Sequence, residues 1–290
     1  MDSDSIADGN AHEANGALDN EELVVAEDHV VHLSSELFEF IEMMKSTQEV
    51  EYEPFRLDMR GMTMPPRLWT ALEQYLCALS TPLVRLSLSG TYVGPEGAMT
   101  IGKALVTNNC LQVLELDNCE LVGSAYRPVY SGLKSLVKGI ESPRSELRYL
   151  NLARNDLLPE GSRIILGVAA FHARLTALDI SNTMLSIFNE DDGVIALSYI
   201  FRFTHALCWI DFSGNLIPSP CLRVLRTALG KNKTLTSIQA RDCGLQHSDL
   251  FADNPLNKSS VVQTLDLSSS AKNTRSARRQ QRQPPPIATS

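Results

Sequence analysis

The sequence predicts an α/β solenoid, with parallel strands along one side and helices along the other, and three observations carry that expectation. One short apolar pattern, cleanest from Leu147 to Leu157, recurs in eight copies, the first degenerate and the last truncated. The intervals between successive copies are 31, 28, 36, 28, 32, 28 and 27 residues, and three intervals of 28 are hard to obtain from scattered leucines. Between copies the apolar period changes from 2 to about 3.6, so each unit is a strand followed by a helix. Such a unit cannot bury its apolar faces alone, and stacking in register is the stable solution. The helices take up more length per unit than the strands, which is expected to curve the array and put the strands on its concave face.

Residues 1–22 are rich in Asp, Glu, Asn, Ala and Gly and hold almost no large apolar side chain, so they are expected to be disordered. A cap is predicted over 23–51. From Asp28, an N-cap residue, Val30, Leu33, Leu37, Phe40, Ile41 and Met44 follow helical spacing, and a helix here would shield the open end of the stack.

The repeat domain is predicted over 52–270, on the template L-x-x-L-x-L-x-x-N-x-L. Its copies begin with Tyr52, Phe55 and Leu57, then Leu83, Leu86 and Leu88, then Leu111, Leu114 and Leu116. Leu147, Leu150 and Leu152 follow, then Leu175, Leu178 and Ile180, Leu207, Ile210 and Phe212, Leu235, Ile238 and Ala240, and Val262, Leu265 and Leu267. Helical spacing between them is clearest at Leu68–Leu79, Val129–Ile140, Val194–Phe201 and Leu222–Leu229. Two units run long, one through Gly123–Tyr130 and Ser142–Arg144 and the other through Phe188–Gly193, and these insertions are expected in loops beside the sheet. Residues 271–290 carry Lys272, Arg275, Arg278, Arg279 and Arg282 among Ser, Gln and Pro, which predicts a disordered basic tail.

The repeat resembles the leucine-rich repeat. Val93-Gly94-Pro95-Glu96-Gly97-Ala98, echoed by Leu157-Leu158-Pro159-Glu160-Gly161-Ser162, is similar to the 28-residue kind found in ribonuclease inhibitor and the Ran GTPase-activating protein. The resemblance implies non-catalytic protein binding, as a scaffold or adaptor. Regulation of a small GTPase is the alternative that it suggests, and no residue is carried over for that role.

Composition restricts the function classes. A net charge of −8 is split between an acidic start, with seven acids and no Lys or Arg in 1–23, and the basic end. No apolar run is long enough to span a bilayer and no secretory signal is read at the start, so an intracellular, cytoplasmic chain without a membrane partner is expected, with a nuclear or cytoskeletal location as the alternatives. Six scattered cysteines without a C-x-x-C point to free thiols rather than a zinc site. Gly97–Ala104 comes within one residue of a phosphate loop, yet Ala104 replaces the hydroxyl that would hold magnesium and the register puts the segment inside a helix. His29 and His32 lack a third ligand, and no nucleophile motif or carboxylate pair stands out. No enzyme activity, cofactor or metal is expected. Five tail charges without interleaved aromatics are a weak nucleic-acid signal, although nucleic-acid or cytoskeletal association through the tail is a further alternative.

What remains is the outward face of the sheet, built from template positions 3, 5 and 7. Position 5 reads Arg56, Ser87, Glu115, Asn151, Asp179, Asp211, Gln239 and Asp266, and Asp117 adds a charge at position 7. Tyr149 and Trp209 stand at position 3, with Arg85 and Arg241 on either side. Tyr149, Asn151, Asp179, Trp209, Asp211, Glu115 and Asp117 are therefore the candidate contacts for a protein partner with a basic surface, bound by a monomer or within a hetero-complex.

Overall fold

The computed structural model describes residues 25–26, 29–30, 56–77, 83–188, 190–251 and 262–269. Two-residue strands β1 (Val25–Ala26) and β2 (His29–Val30) pair antiparallel, so the residues just after Asp28 are extended rather than the start of the predicted helix. The rest of that helix, residues 31–44, lies outside the described residues, as do the tails 1–22 and 271–290.

From Arg56 onward strand and helix alternate: β3 (Arg56–Asp58), α1 (Pro66–Cys77), β4 (Arg85–Ser87), α2 (Gly94–Thr107), β5 (Val113–Glu115) and α3 (Ser131–Ile140). They continue as β6 (Tyr149–Asn151), α4 (Leu158–Ala169), β7 (Ala177–Asp179), α5 (Asp192–Phe203), β8 (Trp209–Asp211), α6 (Leu222–Leu229), β9 (Ser237–Gln239), α7 (His247–Leu250) and β10 (Thr264–Asp266). Strands β3 to β10 form one open, parallel, eight-stranded sheet in sequence order. This arrangement is consistent with the leucine-rich-repeat solenoid that the sequence resembles.

The register is set by template position. Position 4 forms one continuous row, with Leu86, Leu114, Leu150, Leu178, Ile210 and Ile238 paired strand to strand and buried. Position 6 forms a second buried row, from Met59 and Leu88 to Phe212 and Ala240. The first copy departs from the sequence reading: Leu57 pairs with Leu86, so Leu57 and Met59 hold positions 4 and 6, and Arg56 stands at position 3. Asp58 takes position 5. A two-residue slip keeps the same side chains inward because the strand period is 2, so apolar alternation cannot distinguish the two registers.

After each strand the ladder continues through position 8, whose N–H reaches the neighbouring position 7 carbonyl, as from Gly90 to Asp117 and from Asn182 to Ser213. Position 8 is left-handed in the first seven units, at Gly61, Gly90, Asn118, Arg154, Asn182, Gly214 and Asp242. Gly, Asn and Asp adopt that conformation readily; Arg154 is the exception.

Position 9 closes the turn from inside. Asn155 Oδ1 accepts from the N–H of Cys119 at 3.0 Å, and its Nδ2 donates to the carbonyls of Leu116 and Leu152. Asn215 repeats this with Thr183, Ile180 and Phe212. Two other units hold Cys119 and Cys243 at the same position, and their Sγ atoms donate to the carbonyls of Leu88 and Phe212. Burial pushes both thiols up to about 12, so they remain protonated structural donors.

The helices approach closely through glycine. A Cβ on Gly102 of α2 would lie 2.3 Å from the Ser135 carbonyl carbon of α3, and one on Gly132 would lie 2.4 Å from the Pro95 oxygen. The phosphate-loop-like segment is therefore part of α2, and its Gly102 serves helix packing.

Candidate functional site

Hydrophobic burial fixes the two inward rows, and the alternation of the strands turns positions 3, 5 and 7 to the other side of the sheet. All seven candidate residues lie on that side, in β5 to β8 or immediately after β5. Glu115, Asn151, Asp179 and Asp211 form one cross-strand row at position 5, and Tyr149 and Trp209 flank Ala177 at position 3.

The two aromatics meet although a strand separates them. Their ring centroids are 6.5 Å apart at 53°, and the side chain between them is only the methyl of Ala177. Both rings are half-buried, an apolar body with a polar edge left for a partner. Burial first, and then the carboxylates of Asp179, Glu115 and Asp117, push the Tyr149 phenol up to about 12, so it is a hydrogen-bond donor near neutral pH.

The acids around this pair differ in what neutralises them. Arg85 Nη2 contacts the two Glu115 carboxylate oxygens at 2.8 and 2.9 Å. Asp117 is buried and takes an ion pair from Arg154 together with a 3.3 Å hydrogen bond from Asn151 Nδ2. Asp211 is buried beside Arg241, 3.5 Å away, and the same guanidinium lies 3.8 Å from Asp266. Arg85 and Arg241 thus do more than bracket the patch; each satisfies an acid within it. Arg154, which the repeat template gave no reason to single out, does the same from its left-handed backbone position.

Asp179 is different. It forms no ion pair among the described residues, and its Oδ1 accepts the Ser181 N–H at 2.9 Å. Burial, its largest influence, holds its carboxyl above the usual aspartate range, with the charges of Asp211 and Asp117 adding to the rise. The site therefore centres on Asp179, which has no ion pair among the described residues and stands two residues along the strands from the aromatic pair.

The position 5 acids also have a structural task. Asp211 and Asp266 accept the N–H two residues on, from Ser213 and Ser268, as Asp179 does from Ser181, and Asn151 does the same for Ala153. This repeated local bond turns the chain at the ends of these four strands.

Other candidates separate from this site. His172 is half-buried and its Nδ1 accepts from Arg174 and Leu175, closing the turn before β7, while burial lowers its pKa. Asn108 and Asn232 hold the equivalent place before β5 and β9, and Asn232 is buried with its Nδ2 bonded to the Phe201 carbonyl. Among the described residues, no three His, Cys, Asp or Glu side chains gather as a metal set, and no helix is long and apolar enough to cross a membrane. Tyr126 and Phe188, at the tips of the two insertions, are almost fully exposed, and the repeat template gave no signal for them.

No protein-family model matches the chain. It is similar to the mouse protein named NACHT, LRR and PYD domains-containing protein 14, with 28% identity over 189 residues, covering 56% of this chain and 18% of that protein. The chain thus spans less than a fifth of the length of the relative it matches, and the likeness is consistent with a leucine-rich-repeat architecture.

Proposed function

We propose that the chain is a non-catalytic, curved repeat scaffold that binds a basic protein surface within an intracellular complex, using the concave, strand-lined side of the sheet. The observation that carries this reading is the Tyr149–Trp209 pair next to Asp179, a half-buried carboxylate without an ion pair among the described residues. Rigid amphipathic aromatics give contact area at small entropic cost, and a Lys or Arg brought to Asp179 supplies the charge that burial leaves uncompensated. Glu115, Asp117 and Asp211, each held by an arginine, form a pre-organised polar surround with Asn151. The likeness to a relative with an LRR domain supports an interaction role.

Affinity capture with the full chain and with a Tyr149→Ala/Trp209→Ala double variant tests the proposal. A partner retained by the first and lost by the second, with both chains equally folded, supports it. Equal capture by both removes it.

A further inference from the structure

A second surface lies on the helical side, away from the sheet. We propose that the groove between α5 and α6 seats an amphipathic helix of another protein, with an acidic polar face flanking its apolar stripe. The groove, of about 430 Å³, is lined by Ile195, Tyr199 and Phe203 from α5 and by Val224 from α6. Ile195, Tyr199 and Val224 are each more than 40% exposed, in helices that otherwise turn their apolar residues into the core. Phe203 extends the strip by stacking on Phe171 at 5.4 Å and meeting Tyr199 at 6.2 Å.

The charge around the strip identifies the occupant. Arg202, Arg223 and Lys231 line the groove and no carboxylate does, in a chain whose net charge is −8. None of the three makes an ion pair among the described residues, and Arg202 lies over the Phe203 ring at 5.2 Å. An apolar strip edged by three cations is complementary to a helix with apolar residues at i, i+4 and i+7 and Glu or Asp on both flanks. The 12 residues of α5 give a track of about 18 Å, which accommodates roughly three turns of a bound helix.

The test is a selection of displayed helical peptides, about 18 residues long, on the full chain. The expected winners carry an apolar stripe flanked by acids. Their affinity should fall at least about tenfold with Tyr199→Ala and with Arg202→Glu/Arg223→Glu, both variants melting as the parent does. Winners without acids, or binding that survives both changes, would overturn the proposal. So would a chain dimer dissolved by Tyr199→Ala, which makes a second copy the occupant. Hydrogen-exchange protection of the groove that disappears on deleting residues 33–44 would overturn it too, because the chain's own Glu36, Glu39 and Glu42 stretch would then fill it.

Discussion

Tyr149 and Trp209 touch across an intervening strand because Ala177 leaves the space between them empty. Substituting Ala177→Leu should wedge the rings apart without disturbing the core, since position 3 is on the solvent side of the sheet. Trp209 emission, read in a Trp69→Phe background, should shift, while the melting temperature moves by no more than the equivalent of about 0.5 kcal/mol. An unchanged spectrum would mean that the rings do not form a unit in solution.

Asp179 gives a pH-dependent prediction. Its carboxyl is raised in the folded chain by burial, so the ionised form costs stability above that raised pKa and costs nothing below the unfolded value of about 3.9. Asp179→Asn keeps an acceptor for the Ser181 N–H and removes the charge. The variant should be more stable than the parent by about 0.5 kcal/mol at pH 7. The advantage should vanish as the pH falls through the carboxylate range. Thermal melts of both chains from pH 3 to pH 7 give the comparison.

Arg154 combines an unfavourable backbone conformation with an ion pair to Asp117, and two substitutions separate the effects. Arg154→Asn tolerates the left-handed conformation and loses only the pair, whose arginine is mostly exposed, so the change should stay within about 1 kcal/mol. Arg154→Val loses the pair and also resists that conformation, and should be lower than the Asn variant by a further 1–2 kcal/mol, roughly. Denaturant titration of the three chains measures both steps.

Asn155 ties two repeats together from a buried position. Asn155→Ala leaves the Cys119 N–H and the carbonyls of Leu116 and Leu152 without their side-chain partner, and should cost about 3 kcal/mol or more. Asn215→Ala should cost a similar amount by the same mechanism. Chemical denaturation checks both, and a loss below about 1 kcal/mol would contradict the account of the position 9 row.

The architecture was legible because each repeat states it again. Apolar rows at positions 4 and 6 and a return to helical spacing leave little freedom, and seven of the eight strands fall where the pattern put them. The first copy slipped by two residues because its apolar set, Phe55, Leu57 and Met59, satisfies either register equally well. The N-terminal stretch after Asp28 reads as helical by spacing, yet its described residues pair as short strands.

The site was legible only in outline. Period 2 put Tyr149, Asp179 and Trp209 on one side, but it could not say that Ala177 lets the rings meet. Nor could a row of acids reveal which are neutralised, because Arg154 reaches Asp117 across 37 residues of sequence. Charge pairing across strands depends on register and side-chain reach, neither of which is written at any single position.

The most direct test of the central claim is the affinity of a captured partner for the parent chain and for Trp209→Ala, with stability measured on the same samples. The account predicts a loss of about 2 kcal/mol or more in binding with an unchanged melting temperature. Undiminished binding by a folded Trp209→Ala chain would contradict it.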